Sequence, residues 1–89
     1  AQALAAGLVG EVAPKEELEA RVAAAATAIA AGAPMTILAA KRAIDAAAGL
    51  SEMPADTLQA LADACFQSDD YAEGRAAFRD KRKPMFTGR

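Results

Sequence analysis

Histidine and tryptophan are absent from the 89 residues, and there is a single cysteine, Cys65. A disulfide framework and a Cys/His metal centre built from this chain alone are thereby excluded. Cys65 falls on the apolar side of a predicted helix, where a free thiol packs as a small buried hydrophobe rather than serving as a reactive group. The chain also lacks any run of about 18 apolar residues, the length a membrane span requires, and has no charged-then-apolar leader. The expectation is a soluble cytoplasmic protein with no membrane partner. No glycine-rich phosphate loop, nucleophile elbow or internal repeat stands out. Aromatic residues are few (Phe66, Tyr71, Phe78 and Phe86), so large apolar anchors are concentrated in the second half.

Hydrophobic residues make up 54% of the chain, but many are alanine, which forms helix readily and buries little area. A chain of this length is one small domain or a piece of a larger one, and a core of that size is marginal unless something else supports it. It starts at Ala1 rather than an initiator methionine, and AQALAAG has the look of a helix already under way, so truncation is the expectation.

The punctuation then divides the chain. Residues 1–6 favour helix and Gly7 suits the left-handed position that ends one. Residues 8–12, LVGEV, form a short β-prone run bounded by Gly7 and Pro14, although Gly10 weakens it. From 15 to 31, Leu18, Val22, Ala25 and Ile29 mark one helical stripe, with Glu16, Glu17 and Glu19 in the early turns and Glu17 four residues before Arg21. Gly32 is expected to end this helix and Pro34 to open the next, over 34–48, with Ile37, Ala40 and Ile44 on one side. Lys41 and Arg42 on the other read as a solvated face. Gly49 closes that helix and Pro54 opens a third, where Leu58, Leu61, Ala62, Cys65 and Phe66 form a wide stripe for burial. Asp56 and Asp63 face water in the simplest arrangement, with nothing to suit them to acid/base work. The short connections favour neighbouring antiparallel helices.

Residues 68–89 combine a helix start, a basic face, paired aromatics and a proline stop. Asp70 with Glu73 has the capping-box pattern, and the helix is expected to run through Phe78 and be released near Lys83, ahead of Pro84. Arg75, Phe78, Arg79 and Arg82 recur at helical spacing, and Lys81 lies three beyond Phe78. Residues 75–89 hold six cations against one acid, a net +5, while residues 1–74 carry a net −7. Cations beside an aromatic suit a phosphate with a flat group attached. A partner's acidic surface would also fit, and so would a solvated helix with two core aromatics and no ligand. Nucleic acid is the poorest candidate, because the basic stretch is short and the remainder acidic.

The string DDYAEGRAAFRDKRKPMF, preceded by GLVGEVAP, resembles the C-terminal third of an enoyl-CoA hydratase, a member of the crotonase superfamily, over the whole chain. Proteins of that family are about three times this long. The family more often has Asn where Gly10 stands, a difference confined to a turn. The resemblance implies a mainly α segment, a short strand and then about four helices, forming the C-terminal helical part of a crotonase-like α/β spiral fold. Residues 1–14 would be the end of the catalytic core, and residues 15–89 a helical region that makes homotrimer contacts, often a dimer of trimers, and covers the acyl-CoA site. The implied activity is addition of water across the 2,3 double bond of an enoyl-CoA thioester, giving a 3-hydroxyacyl-CoA. No cofactor is implied beyond coenzyme A as part of the substrate. The catalytic groups would lie upstream, so none is assigned here. The family's AF-x-x-K pattern matches Ala77, Phe78 and Lys81, implying that Phe78 closes over the acyl-CoA pocket and Lys81 approaches the CoA 3′-phosphate, in its own or a neighbouring subunit's site. Arg82, Lys83 and Phe86 are weaker candidates. Isomerases and thioester hydrolases of the superfamily share this frame, and a non-enzymatic helical interaction domain is the other alternative.

Overall fold

A computed structural model describes residues 1–89. Five helices follow one another: α1 (Gln2–Ala5), α2 (Lys15–Ala30), α3 (Pro34–Ala47), α4 (Ala55–Phe66) and α5 (Asp69–Arg79). They form a slab 42 × 37 × 17 Å. Its thin dimension is less than two helix diameters. Accordingly only two residues, Ala77 and Asp70, are buried.

The helix limits follow local chemistry. Glu16 and Glu17 occupy the first turn of α2, where the helix dipole favours acids, and Pro34 opens α3 at a position that needs no N–H. Arg21 donates to Glu17 at 2.9 Å and also pairs with Glu11, tying the segment before α2 to its second turn. Gly7 and Gly49 take left-handed φ angles of 77° and 75°, and each is followed by a residue whose N–H returns to the helix: Leu8 to the Ala3 carbonyl, Leu50 to the Asp45 carbonyl. That is the paired-bond cap in which glycine avoids the Cβ penalty.

Two expectations are corrected. Residues 8–12 form no strand; a strand is stabilised by a ladder with a neighbour, and no second strand exists in the chain to supply one. As expected, α2 ends just before Gly32, which follows its C-cap Ala31 as Gly7 and Gly49 follow Ala6 and Ala48, although without their left-handed φ. A Cβ there would come within 2.9 Å of the Ile37 side chain and 3.2 Å of the Ile29 carbonyl, so Gly32 permits a close approach. At this corner α2 and α3 diverge by 109°, so they do not lie antiparallel. It is α3 and α4 that pack together, with α5 against α4.

The apolar stripes are present but unburied. Leu18, Val22 and Ile29 on α2 are each more than half exposed, as are Ile44 and Phe66. Cys65 is half-buried rather than enclosed, while Asp56 and Asp63 are exposed as expected. No single helix is long and apolar enough to cross a membrane.

Candidate functional site

The start of α5 is fixed by Ser68, whose hydroxyl accepts the Tyr71 N–H at 3.1 Å and donates to the Cys65 carbonyl at 2.6 Å. The capping pattern read at Asp70 and Glu73 is therefore displaced by two residues. Both acids have other partners, and both partners lie in the tail that follows the helix.

Asp70 is 2% exposed. One carboxylate oxygen accepts the Thr87 N–H at 2.7 Å and faces the Thr87 hydroxyl at 3.4 Å; the other accepts the Gly88 N–H at 2.7 Å. The Asp70 N–H donates in turn to the Arg89 carbonyl at 2.8 Å. A buried carboxylate is tolerable only when its lone pairs are met, and here backbone donors of the tail meet them. Its oxygens are thus engaged in structure rather than available for acid/base work.

One turn on, Glu73 forms a fork with Arg82 at 2.6 and 3.1 Å and accepts the Met85 N–H at 2.9 Å. The Arg82 guanidinium, with help from the Met85 N–H, lowers the Glu73 carboxyl from its ordinary value of 4.5 to about 2. Arg82 is raised reciprocally. Arg82 had been placed on the helix face with Arg75, Phe78 and Arg79. In fact α5 stops at Arg79, four residues earlier than the release expected near Lys83, because Lys81 turns left-handed with φ 54°. The Lys81 N–H donates to the Phe78 carbonyl at 3.3 Å and the Arg82 N–H to the Ala77 carbonyl at 3.0 Å. This repeats the cap seen at Gly7 and Gly49, with lysine in the glycine position.

The returning tail brings Phe86 over Gly74, its ring 3.6 Å from where a Cβ would stand. Between α5, the tail and the start of α3 lies a concavity of about 360 Å³, whose walls include Thr36, Tyr71, Gly74, Arg75, Phe78 and Phe86. Tyr71 is held edge-on by Phe66 at 5.3 Å between ring centroids, and the Arg75 guanidinium lies 5.8 Å from the Tyr71 ring. Three rings with a cation at the margin suit a ligand that is apolar or flat at one end and anionic at the other.

Phe78 is in this wall and is 88% exposed. Lys81 is outside it, exposed, one turn beyond. Among the six cations of residues 75–89, Arg79 faces Asp80 at 3.5 Å and Arg82 is held by Glu73. Lys81, Lys83 and Arg89 make no ion pair. Sequence reasoning missed the two acids as anchors of the tail. The available signal was their place on a short helix that leads into a basic, proline-broken end, which favours pairing across the chain as readily as capping.

The enoyl-CoA hydratase/isomerase family matches residues 1–89. The chain is 36% identical over 90 residues to the methylmalonyl-CoA decarboxylase of Escherichia coli (strain K12), a match covering 98% of this chain and 34% of that protein. Its fold superposes on a crystal structure of an enoyl-CoA hydratase/isomerase from Mycobacterium paratuberculosis with a TM-score of 0.82 at 24% identity, covering 99% of this chain and 35% of the other. The chain thus spans about a third of the length of either protein.

Proposed function

The chain belongs to the enoyl-CoA hydratase/isomerase family, the crotonase superfamily, and from that premise we propose that it is the C-terminal part of an enoyl-CoA hydratase, which adds water across the 2,3 double bond of an enoyl-CoA thioester. The observation that carries this reading is the match of the hydratase/isomerase family to every residue of the chain. Enzymatic action on an acyl-CoA thioester is the coarser statement that family membership supports.

Hydration passes through a thioester enolate. It needs two hydrogen-bond donors at the developing oxyanion and carboxylates to handle the water and its proton. No residue of this chain is assigned those tasks. Residues 15–89 are proposed to serve the nucleotide end of the substrate, with Phe78 closing the apolar side of the pocket and Lys81 meeting the 3′-phosphate, in this subunit or a neighbouring one. The exposure of Phe78 and the absence of an ion pair on Lys81 support these roles. A trimer or a dimer of trimers in the cytoplasm is part of the proposal, and the exposed apolar faces on α2 and α3 support assembly against further protein surface.

Decarboxylation of an acyl-CoA is the second reading, favoured by the identity to the methylmalonyl-CoA decarboxylase. It too would generate a thioester enolate, by loss of carbon dioxide instead of by addition of water. Assay of the full-length protein with crotonyl-CoA and methylmalonyl-CoA separates the two. Loss of the conjugated enoyl absorbance is the result expected of a hydratase, whereas release of carbon dioxide from methylmalonyl-CoA with no reaction of crotonyl-CoA would overturn that assignment.

A further inference from the structure

A lysine with φ near +54° is unfavourable for an L-residue, and such a backbone persists only where its surroundings hold it. The turn after α5 shows what does the holding. Glu73, on the helix, binds the side chain of Arg82 immediately after Lys81 and the backbone N–H of Met85 four residues after it. One carboxylate therefore grips the residue next to the left-handed one and the backbone three residues beyond that. The same contact engages Arg82, the cation adjacent to Lys81, and leaves Lys81 exposed without an acidic partner.

Building on the acyl-CoA function proposed above, we infer that Glu73 is a positioning residue: by clamping Arg82 and Met85 it fixes the left-handed turn, and so sets where the Lys81 ammonium meets the 3′-phosphate of a CoA thioester. Glu73 does not touch the ligand. It brings a negative charge close to a site for an anion, which charge alone would disfavour. Its value lies in restricting a flexible lysine on a turn of five residues.

The opposing signs make the test. The affinity of the full-length protein for coenzyme A is compared with that for 3′-dephospho-coenzyme A by calorimetry, in the unaltered protein and in Lys81→Ala, Glu73→Ala and the double variant. The unaltered protein is expected to prefer coenzyme A by roughly tenfold, the worth of one charge-assisted contact. Lys81→Ala should bring the ratio close to one. Glu73→Ala should lower it by about threefold or more and add nothing once Lys81 is gone, as coupled residues do. Were charge the whole effect, removing the anion and freeing Arg82 would raise the ratio. An unchanged or raised ratio in Glu73→Ala, with Lys81→Ala still lowering it, overturns the positioning role alone. An unchanged ratio in Lys81→Ala overturns the phosphate assignment and this inference with it. Glu73→Gln keeps the shape and an acceptor for Met85, and covers the case in which Glu73→Ala fails to assemble; its ratio should fall less, and a rise would again overturn the role.

Discussion

Asp70 and Thr87, seventeen residues apart, are joined at one carboxylate oxygen by the Thr87 N–H at 2.7 Å and the Thr87 hydroxyl at 3.4 Å. This contact turns the last residues of the chain from a trailing end into a wall of the concavity, because the tail that Asp70 retains carries Phe86 over Gly74.

Replacing Asp70 by Asn should show how much the retained tail depends on charge. The amide keeps one acceptor but turns an NH2 group toward the N–H of either Thr87 or Gly88, leaving a buried donor unmet. A loss of about 1–3 kcal/mol is expected for the full-length protein, read as a lowered urea midpoint at unchanged slope. An unchanged midpoint would mean that the tail contributes nothing to stability.

Acid should release the second anchor. The Glu73 carboxyl is held at about 2 against an ordinary 4.5. Its folded value is depressed, so its contribution is complete above the unfolded value and disappears as pH falls through the folded one. Asp80 is the charged group facing this pair, 3.8 Å from the Arg82 Nε, and Arg82 stays protonated throughout. The difference in urea midpoint between the unaltered protein and Glu73→Gln should be constant from about pH 7 to 5 and shrink towards pH 2. A difference that grew on acidification would contradict the sign.

Lys81→Gly separates stability from binding at one position. Glycine relieves the left-handed strain at some cost in unfolded-state entropy, for a net gain of up to about 1 kcal/mol. A raised melting temperature together with weaker binding of coenzyme A is the expected pair of results. A lowered melting temperature would mean that the lysine side chain, not the backbone, sustains the turn.

Neighbours Ala77 and Phe78 should respond oppositely. Ala77 is 1% exposed and has no room, so Ala77→Leu is expected to cost about 1–3 kcal/mol by overpacking. Phe78→Ala should shift the melting temperature less but weaken binding of CoA thioesters, as measured by titration.

Helices were legible wherever apolar spacing, proline and glycine agreed. Leu18, Val22 and Ile29 announced α2, Pro34 and Gly49 bounded α3, and Pro54 preceded α4. Residues 8–12 misled because β-propensity describes a residue's fit to a sheet and says nothing of whether a partner strand exists. The sequence places the end of α5 four residues too late, since lysine in a left-handed cap gives no signal of the kind glycine gives. The candidate site was half visible. Phe78 stood out by spacing, whereas Lys81, singled out with it, lies outside the concavity; Tyr71 and Phe86 share its wall only through the tail, whose path is set by side-chain contacts from Asp70 and Glu73 that span 9 to 18 residues. Local pattern carries no record of such pairings.

A slab 17 Å thick has two faces and almost no interior. Cooperative melting comes from side chains that lose their neighbours all at once, and helices that bury only two residues share few such neighbours. Cut free, these 89 residues would lose order gradually with warming, with a small heat-capacity step and no sharp transition. A surface laid over Leu18, Val22, Ile29 and Ile44 would supply that all-or-none character, and a substitution on either face would then register as a change in the breadth of melting before it registered as a change in midpoint.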